Sequence, residues 1–199
     1  MTIELDWDPI PDETPIIDAE GLLVGGITLR RQLNQAEAEN IAVAFSAYLA
    51  GRPTRAEAPF TFDWLFQVHR EMFGRVWSWA GTPRKRDLNF GCPFYEVEPR
   101  VHDLILTLPL WVEMPFLEQA ARLHHRAVSI HPFLSGNGRW SRMLANIWLR
   151  LHGQRQTVWP DTLLGVVSPI REEYIAAIKE ADRMNYAPLI ELHRRYTPE

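Results

Sequence analysis

Apolar residues recur at three- and four-residue intervals on both sides of a short turn at residues 136–138. Before the turn, the segment 116–130 carries an apolar stripe, and after it the segment 139–152 carries another. This spacing is typical of amphipathic helices that bury one face. The pattern therefore predicts two core helices joined by the turn, and it limits the fold to those that pack such helices together.

Five further segments have helical spacing and are bounded by capping or breaking residues. They are 29–49, a helix that Thr61 caps, 101–112, a helix that Ser168 caps and that runs to about residue 184, and 186–196. Residues 82–99, which contain three prolines and Gly91, are the least helical part of the chain and predict a small β-hairpin or an ordered loop. The predicted fold class is mostly α with one short β element.

The composition limits the class of protein. The chain has 199 residues, 46% hydrophobic and 23% charged, which suits a soluble globular domain. We expect residues 1–27 to form an N-terminal arm and residues 28–199 a single domain. Cys92 is the single cysteine, so a disulfide framework is excluded. It is interpreted as a bystander rather than as a nucleophile.

Charge and hydropathy argue against nucleic-acid binding and against a membrane span. The net charge is −4, with no global basic field, so we expect no nucleic-acid partner. The basic run at residues 84–86 is interpreted as a solvated part of the hairpin. No apolar run approaches the ~18 residues of a membrane span, and the acidic start of the chain is unlike a signal peptide. We therefore expect a cytoplasmic protein that does not contact a membrane.

The turn has the composition of an anion-binding site. Its residues tolerate positive φ and let backbone N–H groups converge at a helix N-terminus: Gly136, Asn137 and Gly138. Arg139 and Arg142 lie three apart, so both guanidinium groups can grip one polyphosphate. His131, at the other end of the loop, is a candidate general base. Each feature alone has an ordinary structural explanation, but their conjunction within residues 131–142 favours a phosphate site.

The sequence of residues 131–142, His-Pro-Phe-Leu-Ser-Gly-Asn-Gly-Arg-Trp-Ser-Arg, resembles the motif of the Fic family. That motif, His-x-Phe-x-Asp/Glu-Gly-Asn-Gly-Arg-x-x-Arg, is matched at every fixed position but Ser135. Residues 76–81 and 174–182 also resemble Fic segments. The resemblance covers roughly residues 28–196 and is strongest to the subgroup called "mobile mystery protein B". It implies a Fic-type helical bundle with a short β-hairpin flap.

The resemblance implies a protein adenylyltransferase. His131 would take the proton of a Ser, Thr or Tyr hydroxyl on a target protein, and the hydroxyl would attack the α-phosphorus of ATP. The backbone of residues 136–138 would form an anion hole, while Arg139 and Arg142 would hold the β- and γ-phosphates. Phe133 would anchor the loop.

Two partners and one cofactor also follow from the resemblance. The target protein would dock on a flap at about residues 84–98, and a regulatory partner protein is compatible with the family. The family normally binds Mg²⁺ through an Asp or Glu where this chain has Ser135, and a hydroxyl is a weak ligand for this ion. Three outcomes stay open: Mg²⁺ held mainly by the nucleotide and water, slower transfer, or a different reaction.

Many Fic enzymes are silenced by a helix with the pattern Ser/Thr-x-x-x-Glu-Gly/Asn. Here Glu39 and Asn40 fit the end of the pattern, while Gln35 stands where Ser or Thr is expected. The resemblance implies that Glu39 would pair with Arg142 and inhibit the enzyme. The alternative is an ordinary solvated glutamate on a helix.

Three functions are therefore compatible with the sequence. The first is adenylyl transfer by a toxin or a regulator. The second is another nucleotide-dependent phosphotransfer, or removal of AMP by a water that Glu39 aligns. The third is a catalytically weak Fic module that binds a nucleotide or a partner without turnover.

Overall fold

The structure, a computed structural model, describes residues 20–160 and 168–198. This part of the chain is mostly helical, as predicted. Its α-helices, in chain order, are α1 (Arg30–Leu49), α2 (Phe62–Phe73), α3 (Val97–Thr107), α4 (Phe116–Ile130), α5 (Asn137–Leu151), α6 (Pro169–Asp182) and α7 (Ala187–Arg195). None of these helices has the length and apolarity needed to cross a membrane.

Helix α5 forms the centre of the fold. Twelve of its 15 residues are buried, and it packs against α1, α2 and α4. A helix that is buried on nearly all sides belongs to the core. The indole N–H of Trp140 donates to the carbonyl of Leu65 at 3.0 Å, so the polar atom of this fully buried ring is satisfied. The glycine turn and both motif arginines thus belong to a helix that is buried in the core.

The helix ends follow the capping residues in the sequence. The Thr61 hydroxyl accepts the Trp64 N–H at the start of α2, and the Ser168 hydroxyl accepts the Arg171 N–H at the start of α6. Gly153 adopts a φ of +73° directly after α5 and its C-cap.

Helix α3 differs from its predicted bounds of 101–112. It begins at Val97, because Pro99 lies in the first turn, where its missing N–H costs no hydrogen bond. It ends at Thr107, and a 3₁₀ turn (Leu108–Trp111) that contains a proline follows it.

The predicted β-hairpin before α3 was wrong, and the ordered loop that was its alternative is present. Residues 82–93 contain bends and no strand, and the bridge that pairs Leu22 with Trp77 lies outside this segment. The Arg84 guanidinium turns inward, and its side chain is fully buried. It donates hydrogen bonds to the carbonyls of Arg86 and Cys92, which are then not available for hydrogen bonds between strands. Arg84 is therefore not part of a solvated basic run.

The predicted N-terminal arm falls mainly on residues 1–19, which lie outside the described residues. Its last part packs against the helical core, in which Ile27 is buried and against which Leu22 and Val24 lie. The Leu23 N–H donates to the Val76 carbonyl at 2.8 Å, and the Ser78 N–H donates to the Gly21 carbonyl at 2.8 Å. Residues 20–27 thus lie against the segment that follows α2.

Candidate active site

The motif loop runs between two residues in left-handed conformations. His131 follows α4 with φ 55° and ψ 60°, and Gly136 precedes α5 with φ 81°. Between them the Asn137 side chain closes the loop on Phe133: Oδ1 accepts the Phe133 N–H at 2.9 Å, and Nδ2 donates to the Phe133 carbonyl at 2.8 Å. The loop is therefore fixed by its own hydrogen bonds.

His69 on α2 packs against the motif loop and is hydrogen-bonded to it. Its ring stacks on the fully buried Phe133 ring, with centroids 3.6 Å apart. Burial lowers the pKa of His69 to about 3, so the imidazole is neutral and has one donor and one acceptor. Nδ1 accepts the Gly81 N–H at 3.0 Å, so Nε2–H donates to the Ser135 carbonyl at 3.0 Å. This pair of bonds fixes the peptide that precedes the glycine turn.

A cavity of about 890 Å³ opens above the loop. Its size falls in the ~300–1,000 Å³ range that is usual for small-molecule sites. The loop, the first turns of α5, the side of α1 and residues 156–160 line it. Among the described lining residues there is no aspartate or glutamate, whereas three arginines are present: Arg139, Arg142 and Arg171. This charge pattern favours an anionic ligand.

The two motif arginines have different surroundings. Arg139 is ion-paired with Glu37 on α1, Nη1 to Oε2 at 2.7 Å, and lies over the Phe73 ring. Arg142 is 9% exposed and lies over the Tyr174 ring, 5.6 Å from its centroid. Burial lowers the pKa of Arg142, but a guanidinium stays protonated in proteins. Both groups thus bring positive charge to the cavity.

His131 has the geometry of a general base. Its Nδ1–H donates to the Val128 carbonyl at 3.1 Å, which leaves the lone pair on Nε2. Burial is the main cause that lowers the pKa of His131, to about 4, and the charge of Arg84 adds to the shift. The imidazole is therefore neutral at pH 7 and lies in the cavity wall, where it can accept a proton.

The predicted pair between Glu39 and Arg142 is not formed. Glu39 is exposed, and its carboxylate accepts from Gln35 at 3.1 Å. The buried acid of α1 is Glu37, 1% exposed, which binds Arg139 and also accepts the Trp77 indole N–H at 2.7 Å. Two residues along a helix point to nearly opposite sides, so packing of the Glu37 side of α1 turns Glu39 to solvent.

Ser135 does not fit the role of a Mg²⁺ ligand. Within the described residues, no group of three or more His, Cys, Asp and Glu side chains is arranged to hold a metal ion. The cavity itself offers hydroxyl, amide and guanidinium groups, whereas Mg²⁺ prefers carboxylates and phosphate oxygens. The described residues of this cavity therefore offer no carboxylate to a protein-bound metal.

The two glycines of the turn should differ in their tolerance of a side chain. A Cβ on Gly136 would lie 2.6 Å from the Phe73 ring at a strained φ, whereas a Cβ on Gly138 would meet only Arg142, at 3.6 Å. We expect Gly136→Ala to lower the free energy of unfolding by roughly 2–5 kcal/mol and Gly138→Ala to change it by less than about 1 kcal/mol. Urea unfolding measures both, and equal losses would contradict the described loop.

Comparison with known proteins shows what part of the chain is similar to. Residues 59–149 match the sequence model of the Fic/DOC family. The chain is 34% identical over 138 residues to protein adenylyltransferase fic-1 of Caenorhabditis elegans, a match covering 65% of the chain and 26% of that protein. It is 32% identical over 120 residues to a probable protein adenylyltransferase of Aquifex aeolicus, covering 56% and 35%. The chain thus spans well under half the length of these curated relatives.

Solved structures agree on the fold. A Fic-1 fragment from C. elegans superimposes with a TM-score of 0.68 at 21% identity, covering 88% of this chain and 51% of that one. BepC from Bartonella tribocorum with bound AMPPNP gives 0.65 at 17% identity, covering 92% and 99%. An ADP-bound Fic domain from Bartonella quintana gives 0.65 at 20%, covering 87% and 88%. The chain is thus similar to the Fic/DOC family over residues 59–149 and has the fold of solved Fic domains, while a place in the "mobile mystery protein B" subgroup stays a prediction.

Proposed function

We propose that the chain is a protein adenylyltransferase that transfers AMP from ATP to a Ser, Thr or Tyr hydroxyl of a target protein. The observation that carries the proposal is the cavity itself: its described lining residues include three arginines and no carboxylate around a glycine turn, with the neutral His131 in its wall. An arginine-lined cavity suits a polyphosphate, and a neutral imidazole suits a hydroxyl that must lose its proton.

The proposed reaction needs one proton transfer and one phosphoryl displacement. Nε2 of His131 accepts the proton of the target hydroxyl while the hydroxyl oxygen forms a bond to the α-phosphorus. The bond from that phosphorus to the bridging oxygen of the β-phosphate breaks, and pyrophosphate leaves. The N–H groups of residues 136–138 stabilise the negative charge on the α-phosphate oxygens, and Arg139 and Arg142 hold the β- and γ-phosphates in line.

The relatives support this proposal at the level of the family. The curated proteins from C. elegans and A. aeolicus carry the name protein adenylyltransferase, the latter as probable, and two Bartonella Fic structures contain AMPPNP and ADP. Identity to these proteins is low, and the chain covers only part of the curated ones. The activity, substrate and partners of this chain are therefore proposals, as is its role as a toxin or a regulator.

Mg²⁺ would enter the site with the nucleotide rather than by binding to the protein. This follows from the absence of a carboxylate among the described cavity residues, since phosphate oxygens and water can satisfy the ion without one. The main competing function is a nucleotide-binding module without turnover, and Ser135 is the residue that favours it. Removal of AMP by an aligned water has less support, because Glu39 does not line the cavity.

The target protein would dock beside the loop at residues 84–98. Phe94 and Tyr95 in this segment are 41% and 67% exposed, and the Phe90 ring lies 6.3 Å from the His131 ring between centroids. Exposed aromatic residues next to a catalytic histidine suit a docking surface for an extended peptide.

The proposed function is tested with labelled ATP, Mg²⁺ and cell lysate. We expect label on a protein band with the wild-type chain and none with His131→Ala. Transfer that survived His131→Ala would remove His131 as the base. Measurable ATP binding without any transfer would favour the binding module, and mass spectrometry of the labelled peptide would identify the acceptor residue.

The two glutamates of α1 should behave differently in this assay. Glu39 contacts no arginine, so Glu39→Gly should leave the rate of transfer unchanged within about twofold. Glu37→Gln removes the buried carboxylate that orients Arg139. We expect it to lower the rate of AMP transfer by roughly 10-fold or more, because removing one partner of a buried ion pair strongly destabilises the arrangement that holds the other. A rise in self-modification with Glu39→Gly would instead restore the inhibitory role predicted from the sequence.

A further inference from the structure

Arg84, in the loop at residues 82–93, binds the backbone around His131. Nε of Arg84 donates to the His131 carbonyl at 2.7 Å, and the Arg84 backbone N–H donates to the Pro132 carbonyl at 2.9 Å. Nη2 of the same guanidinium donates to the Ile130 carbonyl at 3.5 Å. One residue thus binds three successive carbonyls at the junction between α4 and the motif loop.

The end of α4 needs donors from another part of the chain. The last carbonyls of a helix have no partner within it, and a left-handed residue after the helix usually lets the next N–H group bind one of them. Here the left-handed residue is His131, and it is followed by Pro132, which has no N–H. The Ile130 carbonyl is bound instead by Arg84 and by the Cys92 thiol, which donates at 3.4 Å.

The backbone of His131 is strained. Its φ of 55° and ψ of 60° are left-handed, a conformation that costs free energy in residues other than glycine. The proline that follows adds to this cost, because a residue before proline prefers an extended conformation. Strain of this kind persists only where the surrounding structure fixes it. The hydrogen bonds from Arg84 to the carbonyls of residues 131 and 132 fix the peptides on the C-terminal side of the strained residue.

The loop at residues 82–93 also packs closely against His131. Gly91 adopts a φ of +100°, and a Cβ there would lie 2.5 Å from Cβ of His131 and 3.1 Å from Nη2 of Arg84. Any side chain at position 91 would therefore push the loop away from the histidine. The close approach of the loop and the hydrogen bonds of Arg84 depend on each other.

The Arg84 guanidinium is itself fixed in place. Its side chain is fully buried, and its remaining hydrogen bonds go to the carbonyls of Arg86 and Cys92. The Asp87 carboxylate lies 3.7 Å from Nη1 and is 67% exposed. The negative end of the α4 dipole also favours a cation at this position. A buried guanidinium with several fixed donors is a rigid support for the backbone that it binds.

We propose that Arg84 is a positioning residue for His131, which it holds in the backbone conformation that lets Nδ1–H reach the Val128 carbonyl. The inference depends on the proposed function for the role of His131 as the base. A change of φ or ψ at His131 would break the bond to Val128, and the lone pair would no longer be confined to Nε2. Arg84 does not line the cavity, so it acts through the histidine and not on the nucleotide.

The position of the proton on His131 tests the inference without any nucleotide. Nitrogen NMR at neutral pH should find the proton on Nδ1 in the wild-type chain and a mixture of Nδ1–H and Nε2–H forms in Arg84→Met. Arg126→Met is the matched control, because Arg126 lies on α4 and pairs with the exposed Asp103, and it should keep the wild-type form. Wild-type protonation on Nε2, or an unchanged Nδ1–H form in Arg84→Met, would overturn the positioning role.

The positioning role also predicts that catalysis and nucleotide binding respond differently. We expect Arg84→Met to lower the rate of AMP transfer at saturating ATP by roughly 10- to 100-fold, as fits a misplaced catalytic group. The KM for ATP should change by less than about threefold, because Arg84 does not line the cavity. Arg84→Lys keeps the charge without the fork of donors and should reach less than about a third of the wild-type rate. Full activity in Arg84→Lys, or a loss confined to KM, would contradict the role.

Two further measurements keep the inference testable if Arg84→Met does not fold. In the wild-type chain, NMR should detect a coupling across the hydrogen bond from Nε of Arg84 to the His131 carbonyl, and its absence would overturn the inference. Gly91→Ala displaces the loop but keeps the arginine, and it should give the same mixture of His131 forms; an unchanged Nδ1–H form would contradict the role. If the wild-type chain transferred no AMP, the proposed function would fail, while these NMR measurements would still decide whether Arg84 positions His131.

Discussion

His131→Ala should reduce the transfer of AMP by roughly 100- to 10,000-fold, the range typical for removal of a general base. The structure gives the reason, because Nδ1–H donates to the Val128 carbonyl and the neutral ring therefore has its lone pair on Nε2, the atom that takes the hydroxyl proton in the proposed reaction. Binding of ATP should change by less than about threefold, since His131 holds no phosphate in the proposed reaction. Initial rates with labelled ATP and calorimetric titration with ATP measure the two quantities separately.

The pH dependence adds an independent check on His131. Its pKa is lowered to about 4, so the free base is present above that pH and is lost as the pH falls through it. The negative charge of bound ATP favours the protonated form and should raise this pKa in the complex. We therefore expect kcat to fall at a higher pH than kcat/KM, which reports the free chain. The exposed His102 provides the control, and loss of activity in His102→Ala equal to that in His131→Ala would contradict the assignment.

Ser135→Asp should raise the rate of transfer by roughly 10- to 100-fold at saturating Mg²⁺, since a metal ion at a transferring phosphate is worth several kcal/mol. The substitution adds a carboxylate to a cavity whose described lining residues include none, beside a turn that His69 already fixes. ATP affinity should also become more dependent on Mg²⁺ than in the wild type. Rates and ATP titrations over a range of Mg²⁺ concentrations measure both effects.

Ser135→Asn is the matched control, because it has nearly the same shape as the aspartate but carries no charge. It should leave the Mg²⁺ dependence at the wild-type level. If Ser135→Asp slowed transfer while the fold was retained, the reaction of this chain would depend on the serine itself. The proposed handling of the metal by the nucleotide would then be wrong.

The sequence predicted the motif loop well because its information is local. His131 and residues 136–138 lie within a few positions of one another, and glycines in the turn have few roles other than positive φ or close approach. The helices could also be predicted, because their apolar periodicity and capping residues are local features of the sequence. The bounds of α3 and the conformation of the loop at 82–93 could not be predicted, because both depend on what a proline or an arginine contacts in space.

The acid of α1 that pairs with a motif arginine is Glu37 and not Glu39, and the sequence contained a signal for it. Leu33, Glu37, Asn40 and Ala44 are all buried and follow one helical stripe. A glutamate on an otherwise buried stripe indicates a cationic partner, here Arg139, and this signal points to Glu37 rather than to Glu39. The family pattern drew attention to Glu39 instead.

The buried hydrogen bonds that join Tyr174, His124 and His193 could not be predicted from the sequence. Tyr174, His124 and His193 lie on three different helices, and their contacts depend on how α4, α6 and α7 pack together. A buried histidine has no sequence signature that separates it from an exposed one. Only the coordinates bring these side chains into hydrogen-bonding distance.

The central proposal, adenylyl transfer, is tested most directly by the position of the label on ATP. The wild-type chain is incubated with target-containing lysate and Mg²⁺, using ATP labelled either at the α-phosphate or at the γ-phosphate. Adenylyl transfer predicts that the α-label becomes bound to protein, while the γ-label is released with pyrophosphate. Protein-bound γ-label without α-label would contradict adenylyl transfer and would identify a different phosphotransfer at the same site.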